Sequence, residues 1–379
     1  MDKIGLYIHW PYCARICPYC DFNIYKNKAD TEAELVRAMI ADMAHWREMS
    51  GRRRLVSIHF GGGTPSLLAA SNIQKLIKTA QNLWSPAPDL EIGLEANPND
   101  INAKALTAWR EAGIERLSVG VQSFDDDALK FLGRDHDGRA AKQALELATP
   151  IMPRVSADLI YGFTNQTEDM LQDDLHRVLA SGVSHISTYQ LTIEQRTAFG
   201  QAKKRGINKA VGSDASADFF EQIIRALTAK GFNQYEVSNF AKGKAAKSRH
   251  NLLYWQGDDY AGIGPGAHGR LTIDAKRRAT IAALRPKDYI TAVGNRGHGI
   301  AEQEILSPQS WAEEYLLMGM RISEGISLSR YMQISGHALA VDKITDFEKA
   351  GLLVKLGDQL SASPKGRMVL DTLCRELLS

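Results

Sequence analysis

The sequence predicts an α/β protein: an incomplete parallel (β/α)6 barrel of the TIM type, followed by a smaller α+β domain. Three observations carry that expectation. Six short runs, at Ile4–Trp10, Leu55–Phe60, Leu90–Glu95, Arg116–Val121, Val155–Tyr161 and His185–Leu191, are largely apolar and lack polar alternation. Such runs suit parallel strands buried on both faces. Amphipathic stretches of helical period separate them, so strand and helix alternate over residues 1–241. After about Ala301 the pattern changes to helices with a short strand pair, which leaves 242–300 as a connecting region and 301–379 as a second domain.

The elements can be justified in order. Thr31-Glu32-Ala33-Glu34 reads as a capping box, with Leu35, Met39, Met43 and Trp46 following along one helical face. Further helices are expected near Ser71–Trp84, Asn102–Ala112, Gly138–Ala148, Thr167–Ala180 and Ser213–Lys230, the last stopped by Gly231. Tyr260–Gly269, YAGIGPGAHG, is glycine-rich but follows no clear strand and opens no helix, so it reads as a close-packed loop rather than a dinucleotide site. Beyond it, Ser310–Ile322 and a stretch from Ile326 read as helices, and a third ends at Ile344–Ala350. Leu353–Ser361 reads as a hairpin around Gly357-Asp358, with a last helix from Pro364.

Composition narrows the function. The chain has 379 residues, 44% of them hydrophobic and 24% charged, the balance of an ordinary globular protein. A net charge of +2 gives no reason to expect a nucleic-acid partner. No apolar run is long enough to span a bilayer. The first strand starts at Ile4, which leaves no room for a secretory signal, and a cytoplasmic location is expected, where thiols stay reduced. Arg52-Arg53-Arg54 reads as a solvated turn, and Cys374 as a small core or surface residue.

The chemistry concentrates in Tyr7–Phe22, YIHWPYCARICPYCDF, which holds Cys13, Cys17 and Cys20 of the four cysteines. Their spacing, C-x3-C-x2-C, has no fourth cysteine or nearby histidine to close a tetrahedral zinc set, and an odd count does not suit paired disulfides. Three soft thiolates suit a [4Fe–4S] cluster with one iron left open. Three structural cysteines, or a zinc site borrowing a distant histidine, are the other readings. Gly61-Gly62-Gly63-Thr64-Pro65 follows the second strand, where bare backbone can approach a ligand closely, although a plain strand-to-helix turn would use glycine too. Glu95, Gln122 and Asp158 can bond hydroxyls or an ammonium, and Arg134 can pair with a carboxylate. Each is equally readable as a satisfied polar barrel residue. All these groups fall late in or just after a strand, where βα barrels build their active sites.

The cysteine spacing, with Tyr19 just before the last cysteine, resembles the radical S-adenosylmethionine (SAM) superfamily. The resemblance implies a [4Fe–4S] cluster held by Cys13, Cys17 and Cys20, with SAM on its open iron, cleaved on reduction to a 5′-deoxyadenosyl radical. Tyr7, His9, Pro11 and the three cysteines, then GGGTP, the VQSF of Val121–Phe124 and Arg134, are similar in order to the branch of oxygen-independent coproporphyrinogen III oxidases, also called dehydrogenases. That branch implies SAM contacts from Tyr7, Tyr19, Gly62, Gly63, Thr64, Glu95, Gln122, Arg134 and Asp158, and a winged-helix-like C-terminal domain. Two departures count against coproporphyrinogen decarboxylation: Phe22 stands where the dehydrogenase has a fourth cysteine, and the dehydrogenase's N-terminal extension has no counterpart before the first strand. His250-Asn251-Leu252-Leu253-Tyr254-Trp255 fits H-N-x-x-Y-W, which resembles the haem-binding signature of HemW-type haem chaperones. The resemblance implies haem as cargo near His250, delivered to haem-dependent respiratory proteins, membrane-bound recipients included, by a carrier that can be a homodimer. An imidazole can ligate haem iron, and Tyr254 and Trp255 offer flat apolar area. Lys242, Lys244, Lys247 and Arg249 could pair with propionates, or form a basic exposed loop; His268 is a secondary ligand candidate.

Overall fold

The computed structural model describes residues 2–26 and 31–379. Its centre is an open sheet of 12 strands. The first six strands are β1 (Lys3–Trp10), β2 (Arg54–Gly62), β3 (Ser85–Ala96), β4 (Arg116–Gln122), β5 (Arg154–Tyr161) and β6 (His185–Gln190). Each lies parallel beside the next, β1 to β6 in order. Five helices, α1 (Glu32–Ser50), α2 (Ala70–Leu83), α3 (Ala103–Ala112), α4 (Gly138–Ile151) and α5 (Glu168–Ala180), form the crossovers between them, and α6 (Ser213–Thr228) follows β6. This is the alternation that the six apolar runs predict. Leu6, Ile8, Ile58, Phe60, Leu94, Leu117, Val119 and Ile186 are fully buried on these strands. Burying each such side chain contributes about 1.5–3 kcal/mol.

The sheet extends beyond the expected barrel on both sides. After β6 come two short strands, β7 (Asn233–Glu236) and β8 (Asn239–Ala241), antiparallel to their neighbours. On the other edge β9 (Tyr260–Ile263) runs parallel to β1, with Tyr7 opposite Gly262. Three antiparallel strands continue outward: β10 (His268–Ile273), β11 (Lys276–Ala282) and β12 (Ile300–Ile305). The glycine-rich segment expected as a loop is therefore a strand, a turn and the start of another strand. The turn needs glycine at Gly264 and Gly266, which have φ of 106° and 77°. The β10–β11 hairpin turns at Asp274 and Ala275, both with positive φ. Residues 242–300 thus carry the sheet onward rather than merely connect two bodies.

Helix starts follow local chemistry in most cases. Asn102, Asp137 and Thr167 accept hydrogen bonds from the backbone N–H three residues on, at 3.0, 2.7 and 3.2 Å. The capping box expected at Thr31 does not form: its side chain makes no cap bond, and its hydroxyl meets that of Tyr12 at 2.7 Å. The run Arg52–Arg54 is not a solvated turn throughout. Arg53 is buried and ion-paired with Asp259, itself buried just before β9. A smaller domain follows, with its own core of Leu316, Met320, Tyr331, Leu353, Leu360 and Leu373. It contains α9 (Pro308–Gly319) and the expected hairpin, Leu353–Leu356 paired with Gln359–Ala362; α7 (Arg249–Trp255) and α8 (Pro286–Arg296) precede it. Cys374 lies in this core. No helix among the described residues is long and apolar enough to cross a membrane.

One buried carboxyl in this frame gives the stability a pH signature. Asp42 on α1 is fully buried, and accepts from the Tyr289 hydroxyl at 2.7 Å and the Gly299 N–H at 3.1 Å. Burial raises its pKa from 3.8 to about 6, and the two hydrogen bonds offset only part of that rise. The folded chain therefore holds this proton more tightly than the unfolded one between those values. The stabilisation is complete below pH 3.8 and is lost as pH rises through about 6. Asp174 adds a second contribution of the same sign, also with a pKa of about 6. Asp42→Asn is expected to flatten the decline in urea midpoint between pH 4 and pH 7, leaving the part due to Asp174 and the other carboxyls that burial raises, Asp158 among them.

Candidate functional site

The loop after β1 carries the three cysteines, and the glycine loop after β2 is fastened to it. The Gly63 N–H donates to the Trp10 carbonyl at 2.7 Å, and the Thr64 N–H to the Tyr12 carbonyl at 2.8 Å. A Cβ at Gly63 would sit 2.6 Å from the Tyr12 carbonyl oxygen and 2.9 Å from that of Trp10, so only glycine permits this approach. Cys13, Cys17 and Cys20 are all free thiols, and all three line one cavity of about 370 Å³ at the C-terminal ends of the parallel strands. Tyr19, Gly62, Gly63, Thr64, Glu95, Gln122, Arg134 and Asp158 line the same cavity. The structure thus gathers every expected cluster and SAM residue except Tyr7.

Several of these side chains are held with capacity to spare. Arg134 donates to Asn97 Oδ1 at 2.6 Å and to the Gly120 carbonyl at 3.2 Å, and its guanidinium reaches Cys17 Sγ at 3.5 Å. Its Nε is buried with no hydrogen-bond partner among the described residues, as is Gln122 Oε1. Gln122 has a φ of 65°, a strained conformation for a residue with a side chain, at the end of β4. Asp158 accepts from Ser118 at 2.8 Å and Ser156 at 3.2 Å; burial raises its pKa, and hydrogen bonds from serines draw it partly back. Glu95 Oε1 lies 3.0 Å from His59 Nε2. Asn97 and Tyr189 also line the cavity, the first directly after β3 and the second late in β6. The signal for Asn97 was its place in Glu95-Ala96-Asn97-Pro98, directly after β3.

The thiols fit a cluster in their chemistry. Burial pushes the Cys20 thiol up to about 11, with Cys17 and Cys13 adding repulsion, and burial raises Cys13 as well. These thiols give up their protons only where positive charge compensates them, as iron does. Among the described residues no three His, Cys, Asp or Glu side chains converge on a point that could hold one metal ion. A cubane binds each thiolate to a different iron, so it needs the three around one cavity rather than one point. The partnerless Gln122 Oε1 and Arg134 Nε are matched to a polar ligand beside it.

His250 is placed elsewhere. It lies on α7, 1% exposed, with Nδ1 bonded to Ser57 at 2.9 Å and Nε2 to the Tyr254 hydroxyl at 2.6 Å. Its ring stacks on His59 at 4.7 Å, with Tyr7 at 6.3 Å. The start of α7 is anchored by Glu91, which accepts the N–H groups of Arg249 and His250 at 3.1 and 3.0 Å and pairs with Arg154 at 2.9 Å. Burial opposes charge on Glu91, but Arg116 and Arg154 outweigh it and hold the pKa below the usual value. The basic residues before the motif are engaged in other ways. Lys247 pairs with Glu324 at 2.8 Å, Arg249 with Asp89 at 3.2 Å, and Lys242 lies over the Phe232 ring at 4.7 Å. None of them lines the cysteine cavity.

A second cavity of about 700 Å³ abuts the first, sharing Cys20, Asp21 and Phe22 with it. Tyr7, Tyr254 and His268 line it, so the tyrosine of the H-N-x-x-Y-W motif and the secondary ligand candidate meet there, whereas Trp255 lies outside it under the Arg321 guanidinium at 4.7 Å. The Tyr7 hydroxyl bonds His9 Nδ1 at 2.9 Å, while His9 Nε2 donates to the Asn23 carbonyl at 2.9 Å.

Known proteins share both the sequence and the fold. Residues 7–178 match the radical SAM superfamily, and residues 306–369 match the HemN C-terminal domain. The chain is 34% identical to the heme chaperone HemW of Haemophilus influenzae, over 100% of this chain and 99% of that protein. Identity to HemW of Escherichia coli is 32%, with the same coverage. It is 37% identical to the bovine radical S-adenosyl methionine domain-containing protein 1, mitochondrial, covering 100% of this chain and 88% of the other. The solved structure of coproporphyrinogen III oxidase (HemN) from Escherichia coli superposes with a TM-score of 0.80, at 21% identity, over 99% of this chain and 89% of that one. At that identity the likeness shows the fold.

Proposed function

The chain belongs to the HemW-type family of the radical SAM superfamily, and from that premise we propose that it carries haem and delivers it to haem-dependent respiratory proteins. Membership implies a [4Fe–4S] cluster and SAM. On this account Cys13, Cys17 and Cys20 hold the cluster. Gly62, Gly63 and Thr64 offer backbone to the amino acid end of SAM, Arg134 faces a carboxylate, and Glu95, Gln122 and Asp158 face hydroxyls or the ammonium. When bound, the cluster and SAM supply reductive cleavage chemistry. In this chain they serve to gate haem transfer or dimerisation.

The observation that carries the reading is the pair of adjoining cavities. Cluster residues line one, Tyr254 of the H-N-x-x-Y-W motif lines the other, and Phe22 lines both with 60% of its surface exposed. At the position where the coproporphyrinogen dehydrogenase has a further thiol, this chain presents an aromatic ring. That favours apolar contact with a flat ligand over a second sulfur near the reacting site. An anaerobic haem titration of the reconstituted protein tests the proposal. Saturable binding of one haem per chain is expected, and its absence from a protein with an intact cluster would contradict haem carriage.

A further inference from the structure

We propose that the second cavity, between the cysteine loop and the β9–β10 turn, is the seat of the haem, and that His268 rather than His250 ligates its iron. The inference rests on the haem-carrier reading and specifies its site. A volume of about 700 Å³ is within the range of ligand pockets. The walls suit a flat, amphipathic ligand. Tyr254 and Tyr260 meet edge to face at 4.4 Å on one side. Phe22 and Leu284, exposed at 60% and 55%, stand on its rim, where a flat apolar ligand would cover them. Arg196, exposed on the lining, is a fork-shaped partner for a propionate.

The two histidines differ in what they can offer iron. The His250 ring is buried and both its nitrogens are hydrogen-bonded, so ligation through Nε2 would displace the Tyr254 hydroxyl, and turning the ring out toward the cavity would cost its bond to Ser57 and its stacking on His59 as well. His268 is exposed, faces the cavity, and has no ring hydrogen bond among the described residues. Its backbone is fixed all the same. It begins β10 opposite Ile281, and its carbonyl packs so tightly on Gly262 that a Cβ there would sit 2.0 Å away. An imidazole on a fixed strand end beside a cavity is a pre-organised ligand. His250 then acts as a positioning residue: it holds the Tyr254 hydroxyl, and through it the ring that forms the cavity wall.

The experiment compares haem binding to the wild-type protein, His268→Ala and His250→Gln, each with its cluster reconstituted, by absorbance titration and by the shape of the haem bands. Loss of groups that merely support a metal ligand costs 10–100-fold in affinity, so His268→Ala is expected to lose at least about tenfold. Its altered haem spectrum should return toward the wild-type shape on adding free imidazole. His250→Gln is expected to keep the histidine-ligated spectrum even where affinity falls. Wild-type affinity and spectrum in His268→Ala would overturn the proposal, as would loss of the ligated spectrum in His250→Gln with the cluster absorbance intact. If the wild-type protein binds no haem at all, the carrier reading itself fails, which is a separate result.

Discussion

Cys17→Ser is expected to abolish the cluster absorbance and to reduce bound iron from about four atoms per chain to near zero. The replacement is nearly isosteric, so the fold has little reason to respond. Cys17 is only half-buried, and its sulfur makes long contacts, 4.0 Å to the Gly133 carbonyl and 3.5 Å to Arg134 Nη1. A serine hydroxyl is a hard, weakly acidic donor that does not replace a thiolate on iron. Chemical denaturation should therefore shift by no more than about 0.5 kcal/mol between the iron-free proteins. Iron content and the visible spectrum read the first effect, and a urea curve reads the second. Full iron content in the serine variant would remove Cys17 from the ligand set.

Asp259→Ala is expected to produce the largest loss of stability of any single change considered, about 3–5 kcal/mol. Asp259 pairs with both Arg53 and Arg277, and it also accepts from the Thr272 N–H at 2.7 Å and the Thr272 hydroxyl at 2.8 Å. All three charged groups are buried, with Arg277 at 2% exposure. Alanine would leave Arg53 in the interior without its counter-charge, and Arg277 with only Glu314, 4.0 Å from its Nε. Burial already draws Arg277 below its ordinary pKa, and Asp259 is the principal group opposing that. Denaturant midpoints measure the loss, and Asp259→Asn, which keeps an acceptor but no charge, should fall between. The functional consequence follows from position. Asp259 fastens the start of β9 to Arg53 and to the β10–β11 hairpin, and these strands carry Tyr260 and His268 to the second cavity. Haem affinity should fall with stability in these variants, whereas cluster content should fall less.

The barrel was legible because its strands are buried on both faces and announce themselves as apolar runs. Caps such as Asn102 and Thr167 marked helix starts for a local reason that sequence also displays. The strands from His268 to Ile305 were not legible in the same way. They lie at the sheet edge, where LTI and RRATIA mix buried Leu271 with a buried arginine, and their turn uses Asp274 and Ala275 rather than the usual glycine. Arg53 misled because a run of three arginines resembles solvent-exposed chain, and its partner is distant in sequence. The cysteine cavity was readable because one spacing rule singled out three cysteines and strand ends placed the other lining residues. Tyr7 and His250 were not, since only the fold shows that Tyr7 faces the second cavity and that the motif histidine turns inward to Ser57. Thr31 was a fair capping candidate by pattern, but the Tyr12 hydroxyl engages its side chain.

Haem carriage is tested most directly by transfer. The reconstituted protein is loaded with haem, freed of excess by gel filtration, and mixed with an apo-haem protein whose spectrum differs when filled. The account predicts that haem leaves this chain for the acceptor, and that the same preparation given coproporphyrinogen III, SAM and a low-potential reductant forms no protoporphyrinogen. Turnover of coproporphyrinogen by a protein that passes on no haem would contradict the carrier account.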